Sequence, residues 1–309
     1  MTTFRTALAS CLAAAAPSLP PVTDYRGLVV VAGGELYGRL AWNLITTLRG
    51  LRCTLPVELW HFSHEMPEPM RSVFTSEPGV RLVDVGQYCR EHGIATRSVA
   101  RSPQHAGWWL KSFALRHCGF AEVMLLDADN VPAVDPTYLF HDTAYERAGA
   151  MFWPDLPPSR ERGQWVPEGA WRAVGLEPVP TARPFESGQI LVNRRRHLHA
   201  LDVALVLNDH SEEVYQFVYG DKDTFLLAWH LCGQRYHMPP KNPAWRHPAI
   251  CQHDSNGNLV FQHACAAKAE LARGEVVPGI VNRRFAPDAA AEFDRRAAAA
   301  LARWTPHVA

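Results

Sequence analysis

The chain has 309 residues, 47% of them hydrophobic and 20% charged, which is long and apolar enough to bury a large core. This composition argues against intrinsic disorder. The 31 basic and 31 acidic side chains cancel to a formal charge of zero, so no long-range field would draw the protein to nucleic acid or to an anionic membrane. Any anionic ligand would therefore be held by local contacts.

The cysteines and the apolar segments narrow the class of protein further. The seven cysteines are scattered and form no Cys-x-x-Cys pair, which argues against a disulfide framework or a zinc site and favours a reducing, cytoplasmic compartment. No run of 18 or more apolar residues occurs, so no membrane-spanning helix is predicted, while peripheral membrane contact stays open. We interpret the alanine-rich segment 6–19 as a structural helix, with a short signal peptide as the alternative.

In chain order, short β-branched or apolar runs alternate with segments whose apolar residues recur at helical spacing. The predicted strands are 28–31, 56–62, 80–85, 123–126 and 190–192, and the predicted helices are 36–48, 108–117, 198–207 and 224–231. Such alternation predicts an α/β fold with a central, mostly parallel sheet that is flanked by helices on both faces. Asn130 and Pro132 are expected to end the fourth strand, and 154–184 is expected to be a Pro- and Arg-rich loop.

The last part of the chain carries a hairpin signal and an alanine-rich tail. Asn256-Gly257 lies between two apolar runs and predicts a two-residue turn in an antiparallel hairpin. In the tail, 293, 297, 301 and 304 share one helical face, which we expect to pack on the protein's own core. We therefore divide the chain into an N-terminal helix and linker (1–26), one central domain (27–285) and a C-terminal amphipathic helix (286–309).

The central functional motif is Asp127-Ala128-Asp129 at the end of a strongly apolar strand. Side chains two residues apart on a strand point the same way, and the carboxyl ends of strands in α/β sheets are where ligands bind. Two carboxylates there suit Mn²⁺ or Mg²⁺, which prefer oxygen ligands. The structural alternative is that Asp127 caps a turn and Asp129 is solvated.

Two later motifs add acidic side chains. Glu186 and Gln189 flank Gly188 just before a strand, and this glycine would let a sugar approach the backbone. Asp221 and Asp223 begin a predicted helix and are candidates for holding donor or acceptor hydroxyls. Each motif has a structural alternative, a polar turn before a strand for the first and a helix cap at Asp223 for the second.

His263, at the end of the hairpin, is a candidate third metal ligand, and Lys268 is a candidate for neutralising a departing diphosphate. A lone histidine is usually structural, so His263 stands out only in the company of the other motifs. Together these residues predict an active site assembled from distant parts of the chain.

Taken as a series, the motifs resemble those of the fungal α-mannosyltransferases that branch cell-wall mannan, and more distantly those of the glycogenin-like retaining transferases. The matching segments are GGELY at 33–37, LPVELW at 55–60, GWWLKSFAL at 107–115, LDADN at 126–130, FWPD at 152–155, ESGQ at 186–189, GDKDTF at 220–225 and FQH at 261–263. The resemblance is specific as a series and weak in any single member.

The resemblance implies a GT-A fold, a nucleotide-sugar donor, a divalent metal (Mn²⁺ or Mg²⁺) and retention of the α configuration. It does not carry over the acceptor, which we expect to be a glycan or another hydroxyl compound. It favours GDP-mannose over UDP-hexoses as the donor. By the same resemblance, the metal ligands are Asp127, Asp129 and His263. The residues expected to contact the donor are Ala32, Gly33, Tyr37, Lys111, Asp127 and Lys268. Of the four candidate catalytic residues, Glu186 and Gln189 are favoured as the pair nearest the anomeric carbon, and Asp221 and Asp223 as the groups that hold donor or acceptor hydroxyls.

Two other classes of protein compete with this interpretation. A haloacid-dehalogenase-like phosphatase would use Asp127 as its nucleophile, but that fold opens with this strand, whereas here three predicted strands precede it. A catalytically silent sugar-nucleotide binder or lectin would bind the donor without transferring the sugar. A dinucleotide-binding dehydrogenase is disfavoured because Gly33, Gly34 and Gly38 lack the Gly-x-Gly-x-x-Gly spacing.

Overall fold

A computed structural model of the chain describes residues 3–15, 17–95, 103–157, 166–282 and 285–304. Its main feature is a six-stranded sheet with the order β3-β2-β1-β4-β7-β6, in which the first four strands are parallel and the last two run antiparallel to their neighbours. The strands are β1 (Asp24–Val31), β2 (Val57–His61), β3 (Val80–Asp84), β4 (Phe120–Asp127), β6 (Ala150–Pro154) and β7 (Phe185–Asn193).

Helices cover both faces of this sheet, as the unbroken apolar strands predicted. On β1, the side chains of Leu28 and Val30 pack into one buried cluster and Val29 into another on the opposite face. The described α-helices are α1 (Thr3–Ala13), α2 (Gly34–Gly50), α3 (Glu68–Thr75), α4 (Val85–His92), α5 (Pro103–His117), α6 (Thr143–Ala148), α7 (Glu168–Ala173), α8 (Arg194–Asp209), α9 (Ser211–Val214), α10 (Asp221–Leu231), α11 (Lys268–Ala272) and α12 (Phe285–Trp304). Short 3₁₀ helices span Ser63–Glu65 and Pro136–His141. None of the helices in the described ranges is long and apolar enough to cross a membrane.

A second, antiparallel sheet has the order β5-β10-β9-β8, built from β5 (Asn130–Pro132), β8 (Ala244–Arg246), β9 (Ala249–His253) and β10 (Leu259–His263). This arrangement corrects the expectation that Asn130 and Pro132 only end the fourth strand. The chain leaves the main sheet after Asp127 and joins the second sheet as its edge strand β5, where a proline is tolerated. In the β5–β10 register Asn130 pairs with His263, so this short strand sets the distance between the Asp-x-Asp segment and the histidine.

Three local predictions also need correction. The hairpin is antiparallel as expected, but its turn spans 254–258, because Asp254 Oδ1 accepts hydrogen bonds from the backbone N–H groups of Asn256 and Asn258. The N-terminal helix ends at Ala13 instead of continuing to residue 19, and the predicted Pro-rich loop contains α7.

The alanine-rich tail is helical and packs on the core for part of its length. Phe293 of α12 is buried against Phe74 of α3, with ring centroids 6.5 Å apart. Leu301, however, is 57% exposed, so the predicted apolar stripe does not dock as far as this residue. The side chain of Trp304 lies outside the described residues.

Candidate active site

The site lies where β4 and β10 end and where the two sheets meet. Asp127 is the last residue of β4, Asp129 follows two residues later, and His263 is the last residue of β10. His263 Nε2 lies 3.2 Å from Asp129 Oδ2 and 3.9 Å from Asp127 Oδ2. One ligand atom from each of the three residues lies within 4.8 Å of the others. The structure therefore brings together the three predicted metal ligands from two elements that are far apart in sequence.

The chemistry of this cluster fits a divalent cation. Asp129 Oδ2 is buried and has no well-aligned hydrogen-bond donor in the described part of the chain, although His263 Nε2 and Lys268 Nζ lie 3.2 and 3.1 Å away. A buried carboxylate needs positive charge beside it, which these two side chains supply and which a bound cation would also supply. Two carboxylates and one imidazole form a donor set that suits a transition-metal dication such as Mn²⁺; Mg²⁺, which takes oxygen ligands, fits the two carboxylates better than the imidazole.

Glu186 holds His263 from behind. Glu186 Oε1 lies 2.9 Å from His263 Nδ1 and also accepts the backbone N–H of Gly188, at 2.9 Å. A carboxylate on the far nitrogen of a ligating histidine orients the ring and makes its other nitrogen a better ligand. A Cβ atom at Gly188 would lie 2.7 Å from His263 Nδ1, so the glycine is needed to make room for the histidine. The sequence predicted that this glycine lets a sugar approach the backbone, whereas in the structure its close neighbour is His263.

Gln189 and Asn130 support Glu186 from the protein interior. Gln189 is fully buried, and its Nε2 donates a 2.6 Å hydrogen bond to Glu186 Oε2. The side-chain amide of Asn130 donates to Gln189 Oε1 and to the carbonyl of Gly188, both at 2.9 Å. The predicted pair Glu186 and Gln189 is thus in contact, but both Glu186 oxygens are engaged with protein groups.

Lys111 of α5 connects the metal-binding segment with the later acids. Its Nζ lies 2.8 Å from Asp127 Oδ2, 3.3 Å from Asp221 Oδ2 and 3.3 Å from Ser187 Oγ. Burial lowers the pKa of Lys111, but the carboxylates of Asp127 and Asp221 outweigh this effect and raise the pKa above its usual value. Lys111 is therefore a fixed positive charge beside Asp127.

The charges on the three candidate ligands are strongly coupled. Burial raises the pKa of Asp127 to about 6, against the opposing effects of Lys111 and His263. Burial also disfavours the charged form of Asp129, but His263 and Lys268 hold the pKa of that carboxyl below its usual range. For His263, burial lowers the pKa, whereas Asp129 and Glu186 together raise it well above the usual value. The cluster therefore favours the ionised form of Asp129 and the protonated form of His263, whereas it makes Asp127 easier to protonate than a free carboxyl.

Lys268, at the start of α11, closes the other side of the cluster. Its Nζ lies 3.1 Å from Asp129 Oδ2, 3.5 Å from the Tyr37 hydroxyl and 5.3 Å from the centroid of the Tyr37 ring. Tyr37 belongs to the first turn of α2, so Lys268 links the metal-binding segment to the N-terminal end of that helix. The predicted donor contacts Tyr37 and Lys268 are neighbours in the fold.

Asp221 and Asp223 occupy different surroundings although both lie in the first turn of α10. Asp221 is joined to Lys111, as described above. Asp223 Oδ2 accepts the backbone N–H of Tyr219 at 2.8 Å, and its Oδ1 lies 3.0 Å from Lys222 Nζ. Lys222 also pairs with Asp155, at 3.3 Å. The backbone contact supports the structural alternative for Asp223, a role in fixing the start of the helix.

A cavity of about 350 Å³ opens beside these charges. Its wall includes all six residues predicted to contact the donor, together with Asp129: Ala32, Gly33, Tyr37, Lys111, Asp127, Asp129 and Lys268. Glu186, Gln189, Asp221 and Asp223 do not line this cavity. A larger cavity of about 670 Å³, bordered by Glu58, Arg81 and His92, contains none of the predicted site residues.

Several residues of the site received no individual role from the sequence. Asn130 and Ser187 each contact a predicted site residue, and Glu65 and Trp108 line the cavity. A Cβ atom at Gly33 would lie 2.6 Å from Glu65 Cβ, which explains why the cavity wall has a glycine at this point. Asn130 and Ser187 are next to predicted site residues in the sequence, and this adjacency could have identified them. No sequence pattern pointed to Glu65.

The strand order, the separate antiparallel sheet and the acidic segment at the end of β4 define the class: this is an α/β protein with the GT-A type fold that the sequence predicted. Residues 25–166 and 180–262 match the mannosyltransferase family model Mannosyl_trans3. Since these residues make up well over half of the chain, the chain belongs to that family. Membership in this family disfavours the phosphatase alternative.

Individual relatives agree with the family match. Alpha-1,2-mannosyltransferase MNN21 of Candida albicans is 27% identical over 261 residues, which covers 70% of this chain and 39% of the relative. Alpha-1,2-mannosyltransferase MNN2 of Saccharomyces cerevisiae is 24% identical over 258 residues, which covers 71% of this chain and 42% of the relative. The chain thus spans about two fifths of the length of these curated relatives.

Solved glycosyltransferase structures are also similar. The galactosyltransferase LgtC, in complex with donor and acceptor sugar analogs, has a TM-score of 0.44 and 18% identity, covering 68% of this chain and 72% of that one. Mouse xyloside xylosyltransferase 1 in its apo form has a TM-score of 0.46 and 17% identity, covering 70% of this chain and 85% of that one.

Proposed function

We propose that this protein transfers a mannosyl residue from GDP-mannose to a hydroxyl group of a glycan, with retention of the α configuration. Mannose is favoured by family membership and by the names of the relatives, which are alpha-1,2-mannosyltransferases. UDP-hexoses are the alternative donors. The observation that carries the proposal is the convergence of Asp127, Asp129 and His263 at the edge of a cavity that is lined by every predicted donor-binding residue.

The donor would lie between the end of β1 and the first turn of α2. Ala32, Gly33 and Tyr37 line this part of the cavity, and the first backbone N–H groups of a helix favour anions. Lys111 and Lys268 flank the acidic segment on its two sides and would contact the diphosphate or the donor hydroxyls. A donor held in this way places its diphosphate beside the three candidate ligands.

Asp127, Asp129 and His263 would hold the cation, and Glu186 would orient His263. When bound, Mn²⁺ or Mg²⁺ stabilises the negative charge that develops on the leaving diphosphate. Lys268 would add a second positive charge beside the leaving diphosphate. In a site that excludes water, the low dielectric strengthens the effect of such a charge. These residues thus supply the electrostatic part of catalysis.

Two mechanisms would retain the configuration, and we favour the one in which the acceptor attacks the anomeric carbon from the same face that the leaving group departs from. In that reaction the acceptor oxygen bonds to the anomeric carbon, the bond from that carbon to the β-phosphate oxygen breaks, and the acceptor proton passes to the departing diphosphate. The alternative requires a carboxylate with a free oxygen for a covalent intermediate. Both oxygens of Glu186 are already engaged, and Asp221 pairs with Lys111, which favours the same-face reaction.

The proposal is tested by incubating the protein with Mn²⁺, methyl α-mannoside and, in separate reactions, GDP-mannose, UDP-glucose or UDP-galactose. We expect a product only with GDP-mannose, with an α anomeric proton in its NMR spectrum. Mn²⁺ together with GDP-mannose at 100 times its Kd should also stabilise the fold by about 2.7 kcal/mol. Binding without transfer or hydrolysis would favour the catalytically silent alternative, and a β-linked product would contradict retention.

A further inference from the structure

Tyr219, just before α10, is the most exposed of the large hydrophobic side chains in the described residues, at 74%. Its backbone is nevertheless held in place, because its N–H donates a 2.8 Å hydrogen bond to Asp223 Oδ2. The next residue, Gly220, has a φ of +72°, a conformation that favours glycine and turns the chain into the helix. The phenol ring is thus presented to solvent by a fixed piece of backbone. A single exposed aromatic ring is common on protein surfaces, so its neighbours must indicate whether it has a function.

Those surroundings connect Tyr219 to the donor cavity. The rings of Tyr219 and Trp108 have centroids 6.2 Å apart, and Trp108 lines the cavity together with Lys111 and Asp127. A Cβ atom at Gly220 would lie 3.2 Å from the Trp108 ring, so the chain passes directly over this tryptophan. We call these two neighbouring rings the aromatic rim: Trp108 lies in the cavity wall and Tyr219 is exposed to solvent.

Polar side chains lie next to the aromatic rim. Lys222 Nζ lies 5.9 Å from the centroid of the Tyr219 ring and 3.3 Å from Asp155 Oδ2. Asp155 directly follows β6, in which Trp153 pairs with Glu186 of β7. Lys222, with its partner Asp155, therefore provides hydrogen-bonding groups beside the exposed ring.

We propose that Tyr219 and Trp108 bind the acceptor, as a platform for the second hexose of an oligosaccharide whose terminal hexose lies at the donor. This inference rests on the proposed function, because it places the acceptor at the mouth of the donor cavity. The C–H face of a hexose ring is apolar and packs on an aromatic face, while its hydroxyl groups hydrogen-bond to neighbouring polar side chains. An aromatic rim with Lys222 and Asp155 beside it offers both kinds of contact.

The platform is tested with Tyr219→Ala, and Tyr219→Phe retains the ring as the conservative variant. Tyr25→Ala is the matched control, since Tyr25 is also exposed, at 55%, but belongs to β1 at the end opposite Val31, which lines the cavity. For each variant we would measure the Kd of an α-mannotriose and of methyl α-mannoside by calorimetry with GDP and Mn²⁺ present. The kcat/KM for transfer to each acceptor would be measured in parallel.

We expect Tyr219→Ala to weaken mannotriose binding and lower its kcat/KM by about tenfold, with little change for methyl α-mannoside, which cannot reach the second position. Tyr219→Phe and Tyr25→Ala should behave like the wild type. Unchanged mannotriose binding in Tyr219→Ala, or an equal loss for both acceptors, would overturn the platform. Tyr219-dependent glycan binding without any transfer would contradict the proposed function but support the platform.

Discussion

Glu186 Oε1 and His263 Nδ1 lie 2.9 Å apart, which ties the start of β7 to the last residue of β10. This contact turns the other ring nitrogen of His263 towards Asp129 and Asp127. It also assigns Glu186 a position behind a candidate metal ligand, whereas the sequence favoured Glu186 as a group beside the anomeric carbon. The two roles differ in what a substitution would change.

Glu186→Gln tests which role applies. The amide keeps the size of the side chain but removes the charge that orients His263, so we expect the affinity for Mn²⁺ to fall about 10- to 100-fold. Saturating Mn²⁺ should then restore much of the transfer rate. A Mn²⁺ titration of activity, with direct binding measured by electron paramagnetic resonance, checks this. Normal Mn²⁺ affinity with a large loss of kcat would instead place Glu186 at the reacting sugar.

Asp127→Asn and Asp129→Asn should each abolish most transfer, by about 10²- to 10³-fold or more, because each removes one charged oxygen ligand from the metal site. Circular dichroism should show that both variants still fold. Asp294→Asn is a suitable control, since Asp294 is a surface carboxylate that pairs with Arg39 of α2. Near-normal turnover by either variant with Mn²⁺ present would exclude that residue as a metal ligand.

Lys268→Ala should lower kcat about 10²- to 10³-fold and change the Kd of free GDP much less. The reason is that the ammonium group, 3.1 Å from Asp129 Oδ2, lies where the leaving diphosphate gains charge. Lys241→Ala is the control, because Lys241 is an exposed lysine whose Nζ donates to the carbonyl of Gly257 in the distant hairpin turn. Equal losses in kcat and GDP affinity would make Lys268 a simple binding residue.

His197 predicts a pH-dependent stability that is separate from the active site. Burial lowers the pKa of His197 from 6.5 to about 4. The unfolded chain therefore binds a proton between these values that the folded chain does not, and stability is lost as the pH falls from about 6.5 to about 4. For this one group the loss is at most roughly 3 kcal/mol.

Chemical denaturation at several pH values measures this effect. His197→Gln can still donate to the carbonyl of Ala148, which His197 Nε2 contacts at 3.0 Å, but it cannot titrate. Its free energy of unfolding should vary less with pH between 6.5 and 4 than that of the wild type. An identical slope in His197→Gln would show that this histidine is not responsible.

Much of the fold followed from local patterns in the sequence. The apolar run before Asp127 predicted a buried strand because unbroken β-branched and aliphatic runs need cover on both faces of a sheet. Asp127 and Asp129, at the end of this run, could be recognised as a candidate ligand site because ligands bind at the carboxyl ends of the strands in α/β sheets. The reducing, cytoplasmic compartment and the domain boundaries stay predictions.

The tertiary structure decided which of the candidate side chains meet. Asn130 and Pro132 looked like residues that end a strand, but their pairing with β10 depends on a partner that lies about 130 residues further along the chain, which no local pattern encodes. That pairing places His263 beside Asp129, and the fold also places Glu186 behind the same ring. The residue types present in the site could be read from short motifs because chemistry restricts them, whereas the division of roles between Glu186, Asp221 and Asp223 depends on contacts that form only when distant segments pack together.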